Sequence, residues 1–193
     1  MKLTQHSSRA LVLGEDKDRL TEVITAIKTF GWKITFTQGT WDMIHSGHFM
    51  YLEKAKALAD ILIVAVDTDE LTRDRKGADR PFDPEGERIL TISGLRPVDI
   101  VVTKTLNEHK HYLLKIIQPD FFVISKSTGD EIQNDIDEFG SMVGEVVNFE
   151  PQSSNSTTAK FRKLKKGAFE EFRTELDALT DRFQRRLDGK EER

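Results

Sequence analysis

KITFTQGTWDMIHSGHFMYLEKAKALADILIVAV, residues 33 to 66, carries the alternation that decides the fold. Its opening, KITFT (33 to 37), and its close, ILIVAV (61 to 66), are apolar, β-branched runs of strand length, and the segment from about 47 to 59 between them has the length and spacing of a helix. A strand, a helix and a strand in that order form a crossover unit, whose strands run parallel. Continuous apolar strands belong to a sheet covered on both faces.

The same alternation continues on either side. In DKDRLTEVITAIKTF (16 to 30), Leu20, Val23, Ile24, Ile27 and Phe30 share one helical face, and Gly31 stands where a C-terminal cap is expected. Downstream come a helix (84 to 95), the strand VDIVV (98 to 102), a helix (107 to 117), the strand DFFVIS (120 to 125), a helix (129 to 139), the strand GEVVNF (144 to 149) and a helix (156 to 166). The pattern predicts an open, doubly wound α/β domain with ligands at the carboxyl ends of its strands. KITFT is then the expected first strand of the sheet. Residues 1–32 form a lead-in segment with its helix, 33–166 the domain, and 167–193 an amphipathic helical extension. In that extension Phe169, Phe172, Leu176, Leu179, Phe183 and Leu187 line a narrow apolar seam, to be covered either by the chain's own domain or by a second copy in a homodimer.

Composition narrows the function. With 193 residues, 37% of them hydrophobic, the chain is long enough for one enclosed core. Charged residues make up 32% with both signs interspersed, and a formal net charge of -4 leaves no basic excess to draw polyanions, so nucleic acid is not an expected partner. The absence of cysteine excludes a disulfide framework and thiolate chemistry, and fits a reducing compartment. The apolar stretch near the N-terminus is short for a signal peptide and no run approaches a membrane span, so the expected location is the cytoplasm, off the membrane.

The chemistry concentrates in loop 38 to 45 and the helix start that follows. A helix N-terminus at a strand's carboxyl end presents unpaired N–H groups and a positive dipole end, which favour phosphate. His45 and His48, three apart, can place both rings on one face, and Gly47 between them removes a side chain that would block close approach. Two neutral imidazoles donating to phosphate oxygens make an oligophosphate clamp that strengthens as charge develops. Zinc ligation by the pair needs a third ligand, and His109 and His111 stand far off in a predicted helix, so no protein-held metal is expected. Asp42 has three readings: orienting His45, joining a magnesium shell, or stabilising the turn through the backbone.

GTWDMIHSGH (39 to 48) resembles the GxFDxxHxGH signature of the cytidylyltransferase-like nucleotidyltransferases, with Trp41 where phenylalanine is usual. The run from about Asp16 to Leu164 is similar to the nucleotidyltransferase domain of ADP-heptose synthases and, more distantly, to glycerol-3-phosphate cytidylyltransferases. RKGADRPFDPEGER (75 to 88) resembles the family's KGxxRPxxPxxxR loop and helix, ISGLRPVDIVV (92 to 102) its LxxLxxVDxVV segment, and NSTTAKF (155 to 161) its STT motif. VISKSTGDE (123 to 131) departs from the Gly-Gly-Asp run of the ADP-heptose enzymes and instead resembles, as catalytic chemistry only, the mobile lysine loop of class I aminoacyl-tRNA synthetases.

The resemblance implies a Rossmann-like sheet of the HxGH type. The implied reaction is transfer of a nucleoside monophosphate from ATP or CTP, with Mg²⁺ bound to the triphosphate, to a sugar phosphate or polyol phosphate, releasing pyrophosphate. It further implies that His45, His48 and Lys76 are catalytic and that Gly39, Thr40, Trp41, Asp42, Gly47, Arg88, Ser156, Thr157 and Thr158 hold the nucleotide. Arg80, Arg96 and Lys126 are implied on the acceptor, Arg80 also as a second basic contact to the phosphates. Ser156 to Thr158 also suit a plain helix N-cap. The alternative is a catalytically silent nucleotide-binding regulatory or scaffold module, against which the intact HSGH, Lys76 and STT positions argue.

Overall fold

The computed structural model describes residues 9–106, 111–125, 140–150, 166–167, 169–177 and 180. Its strands are β1 (Leu11–Gly14), β2 (Ile34–Gly39), β3 (Ile61–Asp67), β4 (Ile100–Lys104), β5 (Phe121–Ser125) and β6 (Glu145–Phe149). They form one sheet in the order β1-β4-β3-β2-β5-β6, with every pairing parallel. The helices are α1 (Lys17–Thr29), α2 (Ser46–Lys56), α3 (Asp69–Lys76), α4 (Glu85–Gly94) and α5 (Tyr112–Ile117). The expected doubly wound α/β fold is what the chain adopts.

Local chemistry sets the helix limits. The Asp16 carboxylate accepts from the Arg19 N–H (3.0 Å) at the start of α1. At its end Gly31 takes φ 75, and the N–H groups of Gly31 and Trp32 donate to the carbonyls of Lys28 and Ile27, the paired bonds of a Schellman cap.

Two apolar layers sandwich the sheet. On one face Leu20, Ile24 and Ile27 of α1 and Leu113, Leu114 and Ile117 of α5 pack on Ile34, Phe36, Ile63 and Val102. On the other, Tyr51, Leu52 and Ala55 of α2 and Ile89 and Ile92 of α4 pack on Leu62, Val64, Val66 and Val101. Each fully buried aliphatic or aromatic side chain contributes roughly 1.5–3 kcal/mol, so the two layers carry most of the stability.

Two expectations are corrected. KITFT is not the first strand of the sheet: β1 precedes it, at the edge beside β4. Four residues are too few to show a period against a polar N-terminal context. The polar run DELTRDRK forms α3, a helix absent from the elements expected; Thr68 caps it by accepting from the Leu71 N–H (3.2 Å), and its single large apolar residue, Leu71, gives no helical stripe to read.

The chain divides into two compact units, Met1–Ser153 and Ser154–Arg193. β1 and α1 thus belong to the same unit as the rest of the sheet. In the second unit residues 169–177 are helical, as the seam predicts, and Phe169, Phe172 and Leu176 are exposed. Leu179, Phe183 and Leu187, and the predicted helix at 129–139, lie outside the described residues, as does the predicted helix at 156–166 apart from Lys166. No helix among the described residues is long and apolar enough to cross a membrane.

Strand order fixes where a ligand fits. From β2 the chain winds through β3 to β4 on one side, then returns past β2 to β5 and β6 on the other. The topological switch point is therefore the crevice between the carboxyl ends of β2 and β5, where ligands of open α/β sheets bind.

Candidate active site

The turn from β2 to α2 is held in a costly shape. Trp41 (φ 57) and Met43 (φ 49) both adopt left-handed backbone, which for such side chains costs on the order of 1–3 kcal/mol each. Both are anchored. The buried Trp41 indole donates from Nε1 to the Ala65 carbonyl (2.9 Å), and the Met43 N–H donates to Asp83 Oδ2 (2.7 Å). The outcome is that His45 enters α2 as its extended N-cap residue.

The two histidines cap one another's helix turn. His45 Nδ1 accepts from the Gly47 N–H (3.1 Å), and His48 Nδ1 accepts from the His45 N–H (3.3 Å). A neutral imidazole whose Nδ1 accepts carries its hydrogen on Nε2. Both rings therefore present Nε2–H donors, with centroids 4.1 Å apart, beside the amide groups of a helix N-terminus. The indole of Trp41 meets His48 edge-on at 5.7 Å and backs the pair. Tyr51 pins α2 over the switch point: its hydroxyl donates to the Val123 carbonyl of β5 (3.0 Å) and lies 2.8 Å from Thr37 Oγ1 of β2. Burial pushes the Tyr51 hydroxyl far above its usual pKa, the Thr37 bond opposing, so it stays a neutral brace.

Asp42 ties down the loop that follows α3. Its Oδ1 accepts from the N–H groups of Phe82 and Asp83 (both 3.0 Å), and its Oδ2 pairs with Arg80 Nη1 at 3.0 Å. These bonds reach the backbone of a distant loop, and not that of its own turn as one of the sequence readings had it. Arg80 also stacks over the Phe82 ring at 4.6 Å.

Arg88 is the most deeply buried cation among the described residues. Its Nε donates to the Asp83 carbonyl (2.9 Å), Nη1 to the carbonyls of Thr40 (2.6 Å) and Asp67 (2.8 Å), and Nη2 to Asp69 Oδ1 (2.7 Å). That guanidinium joins the ends of β2 and β3 to the loop, which is a strut's geometry.

Lys76 is the last residue of α3, next to Gly77 (φ 98). Desolvation pushes its ammonium below the usual lysine value; Asp67 and Asp42 oppose this, and Arg80 and Arg75 add to it. Although its side chain has exposed surface, the ammonium thus stands within electrostatic reach of the turn. Arg96 is placed elsewhere: it is exposed in the segment leading into the amino end of β4, at the opposite edge of a parallel sheet from His45 and His48. The sheet's direction separates it from them. Lys126, Ser156, Thr157 and Thr158 lie outside the described residues.

The cytidylyltransferase-like family model matches residues 36–175, more than half of the chain and all of the turn just described. The chain belongs to the cytidylyltransferase-like family. It is 36% identical over 149 residues to the bifunctional protein HldE of Wolinella succinogenes, covering 77% of this chain and 30% of that one. To HldE of Nitratiruptor sp. it is 44% identical over 94 residues, 48% of this chain and 20% of that one. The chain thus spans about a third or less of the curated relatives it matches. Among solved structures, the lipopolysaccharide core biosynthesis protein of Thermoplasma volcanium superposes with a TM-score of 0.52 at 26% identity, covering 62% of this chain and 97% of that one. A pantoate-beta-alanine ligase from Francisella tularensis, at a TM-score of 0.56 and 15% identity over 77% of this chain and 69% of that one, shares the fold alone.

For this cytidylyltransferase-like chain, sequence reasoning missed a row of polar residues at the strand ends. Asp67 and Lys104 end β3 and β4 and Gln38 stands one residue before the end of β2, all on the α1 and α5 face, and Asp67 and Lys104 are register partners. Lys104 is buried and donates from Nζ to Gln38 Oε1 (3.1 Å). Asp67 is 1% exposed; its Oδ2 accepts from Thr40 Oγ1 (3.2 Å) and Arg75 Nη1 (3.1 Å). The available signal was a charge closing each apolar run, at Asp67 after ILIVAV and at Lys104 after VVT.

Proposed function

We propose that this domain transfers a nucleoside monophosphate from ATP or CTP to a small phosphorylated acceptor, a sugar phosphate or polyol phosphate, and releases pyrophosphate. The observation that carries the reading is the histidine pair: both Nδ1 atoms are taken up by backbone N–H groups, so both Nε2–H groups present at a helix N-terminus over the switch crevice. An acceptor phosphate oxygen is already a nucleophile and needs no general base. The protein's task is in-line positioning and neutralising charge on the α-phosphate and the leaving pyrophosphate. His45 and His48 donate to α- and β-phosphate oxygens, and Lys76 reaches over from the end of α3 as a movable cation. Arg88 and Asp42 keep the strand ends and the loop in place, and Arg80, paired to Asp42, is the loop's cation for the acceptor.

The donor set fits a magnesium ion carried by the triphosphate. The turn offers imidazole, amide and cationic donors for phosphate oxygens, while both oxygens of its Asp42 are engaged within the protein. Mg²⁺ would be held through phosphate oxygens and water, and when bound supplies charge neutralisation at the bridging oxygens. Nucleotide binding is tested by thermal shift with ATP and with CTP, each with Mg²⁺, and transfer by pyrophosphate release across a panel of phosphate acceptors. Nucleotide binding without turnover on any acceptor would return the chain to the silent-module reading.

Lys76→Ala is expected to lower kcat by about 10²-fold or more, with a smaller change in acceptor KM, because the lysine serves charge that grows in the transition state. Steady-state kinetics check this, and a rise confined to acceptor KM would move Lys76 to the acceptor.

For the extension we propose that the seam from Phe169 to Leu187 contributes to a homodimer. Removing residues 168–187 is expected to give monomers that still bind nucleotide. Light scattering decides, and a full-length monomer at micromolar concentration would sink the idea.

A further inference from the structure

Asp67 presents an unsolved acceptor. Its Oδ2 is taken by Thr40 and Arg75, but its Oδ1, fully buried, has no hydrogen-bond donor among the described residues. A buried carboxylate oxygen without a donor is a standing cost, and it persists where a ligand supplies the donor.

The position says which ligand. In an in-line displacement the attacking and leaving groups lie on opposite sides of the α-phosphorus. A triphosphate in the crevice between β2 and β5, beside the N-terminus of α2, leaves the β3 and β4 side of β2 for the acceptor. Asp67 ends β3 on that side, bonded to Thr40 at the exit of β2 and in register with Lys104 at the end of β4.

The charge says which donor. Arg75 is ion-paired to Asp67 at 3.1 Å, Lys76 lies within its electrostatic reach, and Lys104 is its cross-strand partner. An ammonium donor or a metal ion would enter a patch already rich in cations. A hydroxyl is a donor without charge, and the same cations suit the phosphate that such an acceptor carries.

We propose that Asp67 is a specificity-determining residue: its Oδ1 accepts a hydrogen bond from a hydroxyl of the acceptor, selecting polyhydroxylated phosphates over phosphates with a bare alkyl group. This rests on the nucleotidyl-transfer reading above. The test is isothermal titration of the full chain with glycerol 3-phosphate, glucose 1-phosphate, propyl phosphate and inorganic phosphate. Each is titrated with Mg²⁺ and a non-hydrolysable α,β-methylene analogue of ATP or CTP present. The wild-type chain should bind at least one hydroxylated phosphate about 10- to 100-fold more tightly than propyl phosphate, the value of a hydrogen bond to a charged group. Asp67→Asn keeps one oxygen for Thr40 and Arg75 and puts a neutral amide donor where Oδ1 stood, so a hydroxyl can only accept there and loses its bond to a charged acceptor; the preference should fall by about 10-fold or more, with a smaller change in affinity for the analogue. A wild-type chain with no preference overturns the proposal even if the variant fails to fold, and so does a variant that keeps the preference in full. A variant that instead loses the analogue would assign Asp67 to the nucleotide and its magnesium, which also overturns it. If the wild-type chain binds neither analogue, the transfer reading itself falls.

Discussion

Replacing His45 by Asn, or His48 by Gln, is expected to lower kcat by about 10²-fold or more while the melting temperature stays near that of the parent chain. The choice of substitution follows from the caps. His45 is the N-cap residue of α2 and accepts from Gly47, and His48 accepts from the His45 N–H. Alanine at either position would remove a cap bond worth about 0.5–2 kcal/mol together with the phosphate donor, mixing a folding defect with a chemical one. Asparagine is a good N-cap residue and glutamine a good capping-box partner three residues on, so each keeps the helix start while withdrawing the imidazole Nε2–H from the phosphates. Pyrophosphate release measured under saturating nucleotide and acceptor, alongside a melting curve, separates the two contributions. Near-parental turnover in either well-folded variant would remove that histidine from the mechanism.

Much of the fold was legible because its strands announce themselves. ILIVAV, and Ile100 to Val102 of VDIVV, are apolar on both faces of the pleat, which only a doubly covered sheet explains, and the intervening amphipathic stretches supply the covers. β1 and α3 were not legible, for opposite reasons. β1 is a four-residue edge strand, too short for a period, while α3 is so polar that its helicity rests on the Thr68 cap and on local ion pairs such as Arg73 with Asp69. In the site, the placement of both histidines at a helix start followed from spacing, but how their Nδ1 atoms are used did not, because it depends on the extended backbone of His45. The partners of Asp42 lie 40 and 41 residues away, at Phe82 and Asp83, and no local pattern encodes such a bond. Asp67 and Lys104 meet only through strand register, which a sequence read one segment at a time leaves open.

Arg88 shows where sequence and structure divide a role. The motif marks a helix arginine in the nucleotide site, and the geometry gives it hydrogen bonds to Thr40, Asp67, Asp69 and Asp83, with a side chain that is 0% exposed. Arg88→Met fills similar volume but leaves the buried carbonyls of Thr40 and Asp67 and the part-buried one of Asp83 without that donor, and takes from Asp69 the guanidinium of its ion pair. Breaking a buried charged network from one side costs about 3–5 kcal/mol. For a domain of this size that corresponds to a melting temperature lower by roughly 10 °C or more. Arg88→Lys should recover little, since one ammonium on a flexible stem cannot reach carbonyls and a carboxylate spread across a planar fork. Thermal melts of the nucleotide-free chain are the measurement, because a residue that acted only on bound phosphate would leave that transition where it was. Nucleotide affinity, measured well below the lowered transition, should fall as well, since Thr40, whose carbonyl Arg88 holds, lies in the implied nucleotide site. A variant that melts with the parent chain and yet fails to bind nucleotide would put the guanidinium on the phosphates and overturn its assignment as a strut.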